Sequence, residues 1–313
     1  MKIQWLPFLQ RNVVYVGFIA VFVYFGVTQG QYFLQPSNLL NILVQAAPIA
    51  IMAVAFTFVL SSGQIDLSFG SVVALSALTG AVVLQETGFW WLAALAGIGS
   101  GAVVGLINGS ITVLFRLPSF LVTLATMGIV GGVARVLTDL KSVPVTQSSF
   151  VAIFGGGNIG PFSTILIWLV AVTLIGWHVM RQRRYGAHVL AVGDNPVAAA
   201  ASGVNILRTR ISVFLMMSST AALAGLLIAG RLQGARYTLG ENDLLTVIAA
   251  VIVGGTSLFG GAGSIFGSVV GAILLSIINN GLIIAGLDVS QQMIVKGVII
   301  LLAVVLSLRE GKT

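Results

Sequence analysis

Charge is what this 313-residue sequence has least of: acidic and basic residues make up 7% of it, against 58% apolar residues. A soluble domain carries roughly 25% charge, so these few charges cannot clothe a soluble protein of this size. Cysteine is absent, which excludes disulfides, thiolate metal sites and a cysteine nucleophile. Only two histidines occur, His178 and His188, and neither has an acid or nucleophile at triad or metal-ligand spacing. With no catalytic or metal-binding set in view, a membrane enzyme is disfavoured. The alternating ~10-residue segments of a membrane barrel are also missing. No small-residue cleavage site follows the first apolar run, Val13 to Val27, so it reads as a retained span.

What the sequence has instead is a series of long apolar runs. A helix needs ~20 such residues to cross a bilayer, and in lipid each backbone group must be satisfied within its own segment. The runs predict an all-α, polytopic membrane protein, one transmembrane domain over 1–313. About ten spans are expected, near 13–33, 40–60, 68–85, 92–115, 119–138, 162–180, 211–230, 244–258, 265–285 and 291–308. The eighth is short and glycine-rich, consistent with a discontinuous segment. Ten of the fifteen basic residues (Lys2, Arg11, Arg116, Arg181, Arg183, Arg184, Arg208, Arg210, Arg309 and Lys312) then share one side with both termini. Glu86, Asp139, Glu241, Asp243 and Asp288 share the other. This bias puts the termini in the cytoplasm and accounts for the net charge of +7 without a nucleic-acid partner.

Gly97, Gly101, Gly105 and Gly109 recur every four residues, and Gly263, Gly267 and Gly271 repeat the device. Such faces let helix backbones approach closely in lipid; a face that slides during gating is the alternative. Phe69-Gly70-Ser71-Val72-Val73 recurs as Phe266-Gly267-Ser268-Val269-Val270, with Gly63 and Gly260 six residues ahead of each copy. The copies run in the same direction, unlike an inverted transporter repeat.

The cytoplasmic segment 181–210 holds a second kind of helix. Asn195 suits an N-cap, Pro196 the first helical position and Gly203 a left-handed exit, giving about two turns over Pro196–Ser202. It is too short to span and marginal alone in water. A partner's groove or packing on its own bundle or on the membrane surface would hold it.

Two nucleotide-like strings are decoys. Gly311-Lys312-Thr313 lacks the glycine and the following helix of a phosphate loop, and Gly254–Gly263 lacks the strand and ribose-binding acid of a dinucleotide fingerprint. Asp66 is the one acid near membrane depth, which makes it a functional candidate. Capping the third span, direct transport chemistry or an inter-subunit contact are its three readings. Gln45, Asn108, Thr123, Thr126, Asn279, Asn280 and Gln292 dot the spans. They suit either a path for a neutral, hydroxyl-rich solute or interhelical hydrogen bonding.

Six strings together resemble one family. They are Gly63-Gln64-Ile65-Asp66-Leu67-Ser68-Phe69-Gly70-Ser71, Pro118–Met127, Gly193-Asp194-Asn195-Pro196, Gly254–Leu258, Asn279–Leu282 and Gln292–Gly297. They resemble, in order, permease subunits of ribose- and xylose-type ABC importers; Gln64 stands where that family usually has a second glycine. The resemblance implies a multi-pass inner-membrane subunit of a bacterium that pairs with a second permease copy or homologue. It further implies a periplasmic sugar-binding protein and a cytoplasmic ABC ATPase that binds the ATP and magnesium. This chain would then hold no cofactor and catalyse nothing itself. Asp194, Asn195, Pro196, Val197, Ala198, Ala199, Ser202 and Gly203 would form the coupling segment. Arg231 and Arg236 would meet acidic groups of the binding protein, with local pairing to Glu241 and Asp243 as the alternative. The rival functions are a branched-chain amino-acid permease and a proton-coupled carrier using Asp66.

Overall fold

A computed structural model describes residues 13–160 and 162–310. Lys2, Arg11 and the tail Gly311–Thr313 lie outside the described residues. The expected spans appear in order as α1 (Val13–Thr28), α3 (Pro36–Ser61), α4 (Phe69–Thr87), α5 (Trp90–Leu114), α6 (Ser119–Val136), α8 (Thr164–Gln182), α11 (Ile206–Leu232), α12 (Asp243–Val253), α13 (Ile265–Ile284) and α14 (Val289–Glu310). Among the described residues, seven of these helices (α3–α6, α8, α11 and α13) are long and apolar enough to cross a membrane. The first expected span breaks at Gln29 into α1 and a single turn, α2 (Gly30–Phe33). The eighth, α12, has 11 residues, or ~16 Å at 1.5 Å per residue, about half the bilayer core.

α3 is the axis of the bundle, buried from Ala46 to Ser61 apart from Ile49. Around it stand α8, α11, α12 and α13. The glycine face of α5 lies directly on α11. A Cβ at Gly101 would stand 2.6 Å from the Ser218 carbonyl oxygen, and one at Gly105 2.6 Å from that of Phe214. Gly109 faces Ile211 in the same way. Close backbone approach of this kind drives helix association where lipid offers no hydrophobic gradient. On the other side of α5 and α6, Val103, Leu106, Ile107, Leu121, Leu124 and Ile129 are exposed, as a lipid-facing surface requires.

The inner end carries Arg116, Arg181, Arg183, Arg184, Arg208 and Arg210 at the ends of α5, α8 and α11. At the outer end α7 (Ser148–Phe154) seats Phe150 and Phe154 in the core, and Trp168 Nε1 donates to the Ile153 carbonyl at 3.0 Å. Two small antiparallel pairs complete that side. They are β1 (Val143–Pro144) with β4 (Gly234–Ala235), and β2 (Asn158–Ile159) with β3 (Phe162–Ser163).

Candidate functional site

Two short helices fill the cytoplasmic connection between α8 and α11. Only the second is apparent in the sequence. The first, α9 (Arg184–Asp194), is amphipathic and buries Val189 and Val192. Its Tyr185 hydroxyl bonds Ser212 Oγ on α11 at 2.8 Å, and burial holds that phenol's pKa above the usual value against the opposing effect of the bond. Asn195 ends α9 and starts α10 (Pro196–Ala201): its N–H reaches the Ala191 carbonyl, while its Oδ1 accepts from Ala198 N at 3.0 Å. Ser202 is the C-cap, and Gly203 takes φ +82. The N–H groups of Gly203 and Val204 bond the carbonyls of Ala200 and Ala199 at 2.9 and 3.0 Å, the paired closure of a left-handed helix stop. Asn205 at once caps α11 through Arg208 N. So α10 is bracketed by caps on both sides.

The faces of α10 are unequal. Ala199 is buried, whereas Val197 is 78% exposed and Ala198, Ala200 and Ala201 are exposed beside it. Ala199, one of the expected coupling residues, therefore turns inward. Ala200 and Ala201 were not expected, and only the phase of the helix reveals them.

Between α3 and α4 the chain is exposed only at Gly63 and then turns back into the bundle. Ile65 N donates to Ser119 Oγ and Leu67 N to Thr123 Oγ1, both at 3.0 Å, and Ser71 Oγ donates to the Met127 carbonyl at 3.0 Å. Residues 119, 123 and 127 are successive turns of α6, so segment 62–68 climbs beside that helix into the bundle. Non-helical backbone at such depth is tolerated only where protein satisfies it; here two hydroxyls do so. Thr123 is fully used, since its own hydroxyl donates to the Ser119 carbonyl at 2.9 Å.

Asp66, fully buried, accepts at Oδ1 from Ser68 N at 2.8 Å and from Ser68 Oγ at 2.7 Å. Asn108 Nδ2 donates to the same Ser68 oxygen at 2.8 Å. This ties α5 to the N-terminus of α4 through the Ser68 hydroxyl, which itself donates to the Asp66 carboxylate. Gly63 at φ +71 makes the turn that sends the chain inward, a conformation that only glycine adopts without cost. Gly70 is required for a different reason: a Cβ there would lie 2.9 Å from the Gly240 carbonyl oxygen.

The remaining polar residues fall in separate places. Asn280 forms a reciprocal amide pair with Asn38, at 3.0 and 2.9 Å, a partner missed because it stands 242 residues away. Asn279 Oδ1 is buried without a partner in the structure. Thr126 bonds the Val122 carbonyl on its own helix, and Gln292 that of Leu287. Gln45 is half-buried on α3. Of the two outer arginines, Arg231 turns inward and reaches the Val44 carbonyl at 3.4 Å, whereas Arg236 is exposed. Glu241 pairs with Arg135 at 3.0 Å.

Comparison with known proteins accords with this architecture. A family described as the branched-chain amino acid transport system / permease component matches residues 38–304. Ribose import permease protein RbsC of Escherichia coli K12 is 38% identical over 274 residues, covering 86% of this chain and 84% of the relative. Its namesake in Bacillus subtilis is 34% identical over 280 residues, covering 89% and 87%. L-arabinose ABC transporter permease protein AraH of Azospirillum brasilense is 30% identical over 296 residues, covering 95% and 87%. No solved structure matches. The chain belongs to the ABC importer permease family, in the group that includes the ribose and arabinose permeases.

Proposed function

We propose that the chain is the channel-forming subunit through which an ABC importer carries a monosaccharide or related polyol across the inner membrane by alternating access. A permease of this family works with an ATPase and a substrate-binding protein and has no ATPase site of its own. The observation that carries the coupling is α10, a doubly capped helix with an exposed small-apolar face of Val197, Ala198, Ala200 and Ala201. A helix of six residues would fray if free. Held rigid by Asn195 and Gly203, it fits a groove on a cytoplasmic ABC ATPase, to which ATP and magnesium bind.

Only a ligand that binds two conformations differently shifts the balance between them, so closure of the ATPase must act through a stiff contact. Solute would pass where uncharged groups are not wholly enclosed. Gln45, Thr126, Asn279 and Gln292 are half-buried, and Thr126 and Gln292 bond only nearby backbone. They fit that use better than Asn108, Thr123 and Asn280, which are buried and bonded to other segments. At the outer face, the exposed Arg236 is the docking candidate for an acidic group of a periplasmic sugar-binding protein. A carrier driven by protons at Asp66 is not favoured, because the chain belongs to a family of ABC importer permeases. Ser68 engages Oδ1 of that carboxylate, while Oδ2 is buried without a partner in the structure. An amino-acid substrate is not favoured either, since the similar relatives are named for ribose and arabinose.

In a complex of permease, ATPase and binding protein, Val197→Asp is expected to abolish uptake and weaken ATPase co-purification while leaving membrane insertion intact. Retained sugar-stimulated ATP hydrolysis in that variant would refute the docking role.

A further inference from the structure

Three chain segments meet at one carbonyl group at the inner end of the bundle. The Ser61 carbonyl, at the last residue of α3, accepts from Gly261 N at 3.0 Å. The same oxygen occupies the space that a Cβ on Gly193 would fill. On the far side, a Cβ at Gly260 would stand 2.6 Å from the Gly193 carbonyl oxygen, and one at Gly261 3.1 Å from Asp194 Cβ. Gly63 joins the cluster, its Cβ position 3.6 Å from Gly193 Cα. A second bond, Ser61 Oγ to the Ala262 carbonyl at 3.3 Å, fastens α3 to the loop ahead of α13.

The recurring Phe-Gly-Ser-Val-Val string gives this cluster its meaning. One copy begins at Phe69, the first residue of α4, and the other at Phe266, the second residue of α13. Each is preceded by a left-handed glycine turn, Gly63 at φ +71 and Gly260 at φ +91, and both turns abut Gly193. In both copies the glycine of the string faces another backbone, that of Gly240 for Gly70 and that of Gly254 for Gly267. Both copies therefore stand at the start of a helix that follows a glycine turn, and the two turns share one seat. That seat stands two residues before Asn195, the cap of α10.

We infer that Gly193 is the positioning residue through which the coupling segment moves α4 and α13 together. The inference rests on the docking of α10 proposed above. Displacement of α10 is passed through Asp194 to Gly193, and from there to Ser61 and to Gly260-Gly261 at once. A side chain at position 193 would push α9 off both turns while leaving the exposed face of α10 unchanged.

Gly193→Ala in the full complex is the test. Co-purification with the ATPase and its basal ATP hydrolysis are expected to persist. Sugar uptake, and stimulation of hydrolysis by the sugar-loaded binding protein, are expected to fall more than tenfold. Normal uptake in Gly193→Ala would overturn the inference. Loss of ATPase association would overturn it too, because the residue would then merely shape α10; failure of the docking reading is read separately, in Val197→Asp. Because the chain has no cysteine, a second measurement is open. The pair Asp194→Cys and Gly261→Cys, at β-carbon positions 3.1 Å apart, lies near disulfide reach. In a junction that moves as one body, the double variant transports equally with this bond closed and with it reduced, whatever its level relative to the parent. Uptake lost on oxidation and restored by reductant would overturn the proposal.

Discussion

Gly105→Ala and Gly99→Ala place the same methyl group on the same helix and are expected to act in opposite directions. At Gly105 the new Cβ would stand 2.6 Å from the Phe214 carbonyl oxygen and 2.9 Å from Leu215 Cα. Both are backbone atoms of α11, so no side chain can swing aside and the helices themselves must part. Overpacking of this kind costs about 1–3 kcal/mol. At Gly99 no atom lies within 4 Å, and alanine there gains up to ~1 kcal/mol of helix propensity. That gain also offsets part of the cost at Gly105, leaving a net loss of up to about 2 kcal/mol. Thermal unfolding of the detergent-solubilised protein, followed by loss of the monodisperse chromatographic peak, should rank Gly99→Ala at or above the parent and Gly105→Ala clearly below. Equal midpoints would refute the reading of this face as a tight static seam. A normal midpoint with impaired transport in Gly105→Ala would favour the sliding alternative.

Thr123→Val is expected to orphan the Leu67 N–H and lower stability by about 1–3 kcal/mol, whereas Thr123→Ser, which keeps the hydroxyl, should be tolerated; the same unfolding assay separates them. Asn38→Ala and Asn280→Ala each break the reciprocal amide pair. A double-mutant cycle should return a coupling on the order of 1 kcal/mol, and additive effects would dismiss the pair as a tie. At the outer face, Arg236→Glu should weaken binding-protein docking most strongly at low salt, as read by titration of the labelled receptor; unchanged docking would remove the arginine from the interface.

How far the sequence alone discloses this structure depends on the distance over which each feature acts. The spans are legible because each is a local composition, and the short α12 shows in its glycine-rich end. α10 is legible because its caps, Asn195 and Gly203, are local too. α9 is not: its cationic start and two glycines argue against a helix, and what holds it is burial of Val189 and Val192 against the bundle. Asp66 is legible as a candidate cap; in the structure it accepts from the N–H and hydroxyl of Ser68, the residue that precedes α4, and not from the free N–H groups of the helix itself. The path of segment 62–68 was not, because its acceptors Ser119 and Thr123 stand 54 and 56 residues on. Thr123 and Asn280 illustrate the same limit. Polar residues in apolar runs mark importance without saying whether the partner is solute or protein. The recurring Phe-Gly-Ser-Val-Val string is visible in the sequence, but the contact of both preceding turns with Gly193 is not, because it joins residues far apart in the chain.

Sugar uptake into vesicles containing the permease, its binding protein and either an active or a hydrolysis-deficient ATPase decides whether this chain is a passive channel driven from its cytoplasmic face. Uptake that appears only with ATP and the active ATPase, and that is indifferent to a proton gradient, is the predicted result. Uptake that persists with the deficient ATPase, follows an imposed proton gradient and fails in Asp66→Asn would contradict the account.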